Sequence, residues 1–560
     1  MAEYERLGHM KRLEEPVDNN IQHCFLPHHP VFKSSSTTTK TRVVFDASCK
    51  TASGYSLNDL LLVGPVVQQD LLSLIMRFRT HAIALVGDIE KMYRQIQVHE
   101  DDRSLQRILW RTHVGEPIAT YQLETVTYGT ASAPYLATKT LQRLAKDAGH
   151  LFPLAAEPVS SDFYVDDFLS GAPDVQAALQ LRREVSTMLR SAGFPIKKWA
   201  SNSIEVLEDV PPEDQAIQPW HDLQDEQSVS TLGLVWEPRS DVFSFKVQLP
   251  LPAAVLTKRT IMSYIARIFD PLGLVGPTVT KAKLFMQRMW ALKSSDGKRF
   301  DWDQPLPQNM QLEWKEFHNT IDLLRQVRFV SISDATSIEL HFFADASEKA
   351  YGACCFVRAN TSHMVTVQLL TSKSKVAPLA TRHTIARLEL CASHLSTQLY
   401  KKVAAALKSP YTAYFWSDST TTLQWIRSSP GRWKTFVANR VTHIQLATPV
   451  DNWRHIAGID NPADDISRGL SPAEILEKSR WWHGPEWLTL PPESWPAGAL
   501  SSAESPETSQ ESRKIPIVVM TTAQTRFNEG LFSRFSSYSK LRRMTAYCLR
   551  YFQLVRHLSS

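Results

Sequence analysis

Phe163-Tyr164-Val165-Asp166-Asp167-Phe168-Leu169-Ser170-Gly171 sets two adjacent carboxylates inside an apolar, aromatic run. Its flanks predict two short strands joined at the acids, because aromatic and β-branched residues suit a pleated, half-buried surface. An ordinary turn would carry Gly, Asn or Pro there. Neighbouring carboxylates in such surroundings stay ionised only when cations or donors neutralise them. Mg²⁺ is the natural counter-ion, a hard cation that shares itself between one or two protein carboxylates and substrate phosphates. A two-metal site needs a further acid from elsewhere in the chain.

That acid is Asp88. Ile83-Ala-Leu-Val86-Gly87-Asp88-Ile89 reads as a buried strand with an acid near its end, suited to lie beside the hairpin in one sheet. After the hairpin, Asp174 is placed to cap a helix with Ala178, Leu181, Val185, Met188 and Ala192 on its apolar face, and Gly193 ends it.

A second set of acids lies downstream. His341-Phe-Phe-Ala-Asp345-Ala-Ser347 reads as a strand ending in Asp, with Tyr351–Val357 as its return strand. Thr384 opens a long helix with Ile385, Leu388, Ala392, Leu395 and Leu399 on its core face, and Glu389 breaks that face at its edge. Tyr411-Thr-Ala-Tyr-Phe-Trp416-Ser417-Asp418 is a further strand ending in an acid, and Ser419 is a cap for the next helix. His455-Ile-Ala-Gly-Ile-Asp-Asn461-Pro-Ala-Asp464-Asp465-Ile-Ser-Arg468 completes the set.

The blocks around these acids resemble the reverse transcriptases of Bel/Pao-type long-terminal-repeat retrotransposons. They are Arg42-Val-Val-Phe-Asp46-Ala-Ser48, Ser56-Leu-Asn-Asp-Leu60, Gly87-Asp-Ile-Glu-Lys-Met-Tyr93, Tyr128-Gly-Thr-Ala-Ser-Ala-Pro134, the Tyr-Val-Asp-Asp hairpin, Gly193-Phe-Pro-Ile-Lys-Lys-Trp199 and Leu232-Gly-Leu-Val-Trp236, in that family's order. The resemblance implies a multidomain α+β and α/β chain: a right-hand polymerase of fingers, palm and thumb, then a ribonuclease H-like mixed sheet with helices. It implies RNA-directed DNA polymerisation, with Asp88, Asp166 and Asp167 as ligands of two Mg²⁺ and Mn²⁺ as the alternative ion. Arg42 would bind the triphosphate, its other reading being a surface Arg on a strand. Tyr93 would lie under the incoming sugar and reject a 2′-hydroxyl, and Tyr128 belongs to the substrate-binding set. Lys197 or Lys198 would neutralise the leaving pyrophosphate; a solvated lysine pair is the alternative. Leu232-Gly233 would begin the primer grip.

Asp345, Glu389, Asp418 and Asp464, in this order after a polymerase, resemble ribonuclease H, whose acids hold two Mg²⁺ flanking a scissile phosphate. Asp464 is preferred to Asp465 because Asn-x-Ala-Asp is the matching frame. His455 would assist turnover or product release, exposure without function being the other reading. The implied partners are RNA template, DNA primer, RNA–DNA hybrid and deoxynucleoside triphosphates, with other retroelement proteins in addition. The location expected is cytoplasmic, within a virus-like particle, or nuclear.

The implied organisation is an entry segment (1–36), fingers and palm (37–205), primer grip, thumb and connection (206–334), a ribonuclease H-like domain (335–475), a linker (476–515) and the start of an integrase-type region (516–560). Ser34 to Thr39 reads as a flexible polar loop, and the Pro/Ser/Glu-rich stretch from Trp487 to Glu511 as linker. Tyr538 to Phe552 reads as a basic amphipathic helix. Lys258, Arg259, Arg267, Lys281, Lys283, Arg288 and Lys293 form a basic stretch suited to a duplex backbone. The net charge of +5 is compatible with nucleic acid, the six cysteines show no zinc spacing or Cys-x-x-Cys, and no run reaches membrane-spanning length. Residues 240–400 resemble a segment labelled Pao-type retrotransposon peptidase, yet no Asp-Ser-Gly or Asp-Thr-Gly occurs. That region is assigned to thumb, connection and early ribonuclease H. The chain reads as an internal polyprotein fragment without knuckle or integrase core. The alternative function is a truncated or domesticated relic that binds nucleic acid without catalysis.

Overall fold

Along Ile83–Ile89 successive side chains face opposite ways, as a strand requires, and each face finds its own apolar cover. The computed structural model describes residues 1–14, 22–32, 41–216, 229–231, 234–245, 255–293, 297–326, 337–360, 364–379, 383–407, 410–497, 506–513 and 537–558. Near the N-terminus β1 (His28–Phe32) pairs antiparallel with β2 (Thr41–Phe45), setting Val31 opposite Arg42. Met10–Arg12 pairs with Ala119–Leu123, which pairs with Arg107–Trp110. The expected entry segment therefore supplies strands to two sheets; the polar loop from Ser34 to Thr39 lies outside the described residues.

The central sheet follows. Helix α1 (Leu71–Phe78) begins at Asp70, whose side chain accepts the Ser73 N–H at 2.9 Å. Next come β3 (Ile83–Ile89), α2 (Ala133–Ala148), β4 (Phe163–Tyr164), β5 (Asp167–Ala172), α3 (Val175–Ser191) and β6 (Ile196–Ser201). The antiparallel order is β4-β5-β3-β6. Leu85, Ile89, Phe168 and Trp199 pack with Ala137 and Leu141 of α2 and Leu181, Val185 and Met188 of α3. From the other face Val86, Leu169 and Ala200 meet Ile75, Met76 and Phe78 of α1 and a larger core beyond. Asp174 caps α3 by accepting the Ala177 N–H at 2.9 Å, and Gly193 turns the chain at φ +78°. Ala192, expected on the core face, is exposed; it is the C-cap, past the end of the helical period, and Leu189 is buried.

The larger core joins α4 (Lys258–Ile265), α5 (Gly276–Ala291) and α6 (Gln308–Thr320) to a five-stranded sheet. Its members are β7 (Ser337–Ala346), β8 (Ala350–Asn360), β9 (Val365–Val376), then, after α7 (Ile385–Ala406), β10 (Tyr411–Ser417), and, after α8 (Thr420–Arg427) and α9 (Thr435–Ala447), β11 (Trp453–His455). The order is β9-β8-β7-β10-β11: β7, β8 and β9 pair antiparallel, while β10 runs parallel to both β7 and β11. Helix α10 (Ala463–Arg468) packs on this sheet through Ile466, which approaches Gly352 so closely that a Cβ there would stand 2.5 Å from its Cγ2. Ile385 is 39% exposed rather than in the core, because it is the first residue after the Thr384 cap. Leu232 and Gly233 lie outside the described residues; Val229–Thr231, Leu234–Glu237 and Val242–Phe245 form an antiparallel sheet.

The linker expectation for 476–515 is overturned where the chain is described. Trp481 is fully buried and donates its indole N–H to the Leu274 carbonyl at 2.8 Å, and Trp495 packs edge-on against His341 and Tyr414. Glu511 pairs with Arg387 of α7 at 2.6 Å. Pro, Ser and Glu dominate the composition, but a few large aromatic side chains suffice to anchor such a segment. Residues Met1–Ser512 form one compact unit and Arg513–Ser560 another. In the second, α11 (Tyr538–Leu558) extends the expected basic helix. Among the described residues no helix is long and apolar enough to cross a membrane.

Candidate functional site

The chain brings acids together at two places. At the first, β5 pairs antiparallel with β3 so that Asp167 lies opposite Asp88, and Asp166 occupies the two-residue loop between β4 and β5. Val165 precedes it with φ +58°, a left-handed conformation in which a β-branched residue is a true outlier. Tight hairpins of this kind usually place Gly at that position; Val costs about 1–2 kcal/mol more. Its side chain packs against the core under the sheet, and its N–H donates to Gln68 Oε1 at 2.9 Å.

Burial lifts the Asp167 carboxyl to about 7, and the charges of Asp166 and Asp88 push the same way. Asp166 is also raised, first by burial and then by Asp88, with Lys198 and Arg42 opposing. Thus the three acids share one electrostatic neighbourhood, with Arg42 in reach from its exposed strand. Lys198, itself at φ +52°, places Nζ 3.0 Å from Asp88 Oδ2. Lys197 does not join them. It faces Glu90 at 3.3 Å and Asp214 at 3.7 Å, and Glu90 holds its pKa above the ordinary value. Tyr93 and Tyr128 stand together with ring centroids 4.8 Å apart. Burial raises both phenols, Tyr128 to about 12, and the Asp166 charge adds to each shift.

At the second place four elements contribute. Asp345 sits on β7 and Asp418 follows β10, adjacent and parallel strands; Glu389 comes from α7 and Asp464 from α10. Burial raises Asp345 to about 6 despite a hydrogen bond from the Ser467 hydroxyl, and Asp418 and Asp464 add to the rise. Glu389 is lifted to about 7 by burial, against a hydrogen bond with Ser419, with Asp418 and Asp345 contributing. Asp418 is raised by burial, opposed by Asn461, and its Oδ1 is buried with no hydrogen-bond partner among the described residues. Asp464 pairs with Arg468. Asp465 points elsewhere, 4% exposed and held by Arg480 at 2.8 Å. His455 is half-buried on β11, opposite Ser417 in the register that precedes Asp418.

Both donor sets are carboxylate oxygen alone, which suits Mg²⁺ or Mn²⁺. The orphaned Asp418 Oδ1 is the kind of buried acceptor that a cation completes. Among the described residues no three His, Cys, Asp or Glu side chains close into a metal cage by themselves; for Mg²⁺, phosphate oxygens and water commonly fill the remaining positions. Sequence reasoning missed Gln68; Ser467 and Arg468 stand in the last acidic block without a role. Asn461 was quoted in a motif without a role. A Gln contacting a backbone 97 positions away leaves no local signal.

Residues 257–419 match the model of the Pao retrotransposon-like RNaseH-like domain, a span that ends just after Asp418. Residues 257–419 belong to that domain family, and the match together with the fold supports a Bel/Pao-type Pol fragment. Its fold is similar to the foamy viral protease-reverse transcriptase dRH solved with double-stranded DNA, at 15% identity and a TM-score of 0.51, covering 81% of this chain and 67% of that one. The foamy viral protease-reverse transcriptase solved with RNA/DNA hybrid is similar at 13% identity and a TM-score of 0.51, covering 81% of this chain and 52% of that one. The chain thus spans about two thirds and about half of those chains. No curated protein matches it. The matched region carries an RNaseH-like description.

Proposed function

We propose that the chain is an RNA-directed DNA polymerase that also hydrolyses the RNA strand of RNA–DNA hybrids, with one activity at each acidic site. The observation that carries this reading is the convergence of Asp88, Asp166 and Asp167 from two paired strands, with Asp167 lifted to about 7 by burial and by the other two. Such perturbed acids mark functional sites. Two Mg²⁺ ions at each site would activate the attacking oxygen and relieve charge on the leaving one. The protein's share is to hold carboxylates where phosphates arrive.

In this reading residues 37–205 are fingers and palm, 206–334 primer grip, thumb and connection, and 335–475 the ribonuclease H-like domain, extended by the packed residues of 476–497 and 506–512. Arg42, exposed beside Asp166, grips the triphosphate through its planar fork. Tyr93, backed by Tyr128, leaves no space for a 2′-hydroxyl and so favours deoxynucleotides. Lys198 rather than Lys197 is the cation at hand for the departing pyrophosphate. At the second site Asp345, Glu389, Asp418 and Asp464 straddle the scissile phosphate, and His455 on the adjacent strand aids product release. The partners are RNA template, DNA primer, hybrid and deoxynucleoside triphosphates, in a cytoplasmic particle or the nucleus.

The test is primer extension on an RNA template with Mg²⁺, beside cleavage of a labelled hybrid. The wild-type chain is expected to do both, and Asp418→Asn to lose only cleavage. A variant that stays folded yet loses both activities would break the two-site division.

A further inference from the structure

The strained apex of the acidic hairpin needs something to hold it, and the only side chain bonded to the Val165 N–H among the described residues is Gln68. The segment around Gln68 is itself pinned on each side. The Val67 carbonyl accepts from Gln142 Nε2 of α2 at 3.0 Å, and Gln69 Oε1 accepts from Arg77 Nη1 at 3.0 Å. Asp70 caps α1 and takes the ammonium of Lys402 from α7. Arg77 in turn is buried against Asp162 at 2.7 Å, and Asp162 accepts the Ser170 hydroxyl at 2.7 Å, so the base of the same hairpin is tied to the same helix.

Three features bear on the apex together: a left-handed Val, a side chain of that Val packed into the core, and an acceptor for its N–H on an independently anchored segment. The turn places Asp166 and fixes where Asp167 enters β5. We propose that Gln68 is a positioning residue for the polymerase acids, holding Val165 in its left-handed turn so that Asp166 and Asp167 face the site. The inference rests on the polymerase reading for its kinetic consequence, but its structural part stands apart from it. Gln68 acts through the backbone of Val165 rather than on substrate.

The experiment pairs Gln68→Met, which keeps length and removes the acceptor, with Val165→Gly, for which the left-handed turn is intrinsic. Hydrogen exchange at the Val165 amide and steady-state primer extension are measured in wild type, both single variants and the double variant. Gln68→Met is expected to speed exchange and lower kcat about fivefold to tenfold, with little change in KM for the nucleotide. In the Val165→Gly background the same substitution should change kcat less than about twofold, because the hydrogen bond no longer guards a strained conformation. Unchanged exchange and kcat in Gln68→Met would overturn the proposal, as would an equal kcat loss in both backgrounds. An inactive wild type whose Val165 amide still loses protection in Gln68→Met would sink the polymerase reading and leave the positioning role intact.

Discussion

The two acidic sites gather their carboxylates by opposite routes. At the first, Asp166 and Asp167 come from one tight hairpin and Asp88 from the strand beside it, so geometry is set by a strained local turn. At the second, Asp345, Glu389, Asp418 and Asp464 come from four elements, and only packing sets their separation. Each site also keeps a cation at hand, Lys198 on Asp88 and Arg468 on Asp464. The lesson is that damage should travel differently: backbone conformation governs the first site and inter-element packing the second.

The sharpest break is chemical. Asp166→Asn is expected to cut polymerisation by about 10³-fold, the equivalent of about 4 kcal/mol, while hybrid cleavage stays measurable. Extension and cleavage by one preparation check it, and equal loss of both would erase the distinction between the sites. Next comes packing. Gly352→Ala would drive a Cβ into Ile466 of α10 and shift Asp464 and Ser467; it should destabilise by about 1–3 kcal/mol and lower cleavage far more than extension. Thermal melting beside both assays measures that, and a variant that loses extension more than cleavage would contradict the packing account.

A gentler test is pH. Glu389 titrates at about 7 in the folded chain against an ordinary 4.5, so between those values the folded state binds more protons than the unfolded one. Its contribution is therefore complete at low pH and is lost as pH rises through about 7. Without divalent ions the melting temperature should fall over that window, and Glu389→Gln should flatten the slope; Mg²⁺ added above it should restore stability. A melting temperature that rises across the window in both proteins would refute the assignment. The smallest effect is expected at Lys198→Met, whose partly exposed ion pair with Asp88 contributes no more than about 1 kcal/mol to stability. Its signature lies in a slower pyrophosphate-release step, read by pre-steady-state kinetics, rather than in melting.

Much of this was legible in the residues. The hairpin strands, the strand carrying Asp88, the helix capped by Asp174 and the strand pair at Asp345 all follow from alternation, capping and aromatic content. Errors fell at helix ends, where Ala192 and Ile385 lie beyond the buried period, and in the stretch from Trp481 to Glu511, where composition said linker and four tryptophans said core. The choice between Lys197 and Lys198 was open because neighbours on a regular strand point to opposite faces, and only the left-handed turn at Lys198 decides which reaches Asp88.

By itself the sequence determined which residues carry charge, which stretches form strands and helices, and in what order the acids occur, because these depend on local pattern. Tertiary structure alone decided that Gln68 meets Val165, that Ser467 and Asn461 support Asp345 and Asp418, and that one core covers the far face of the central sheet and the five-stranded sheet together. Those contacts join residues far apart in the chain. Their energy comes from burial and hydrogen bonds formed only when the elements meet, which no local pattern records.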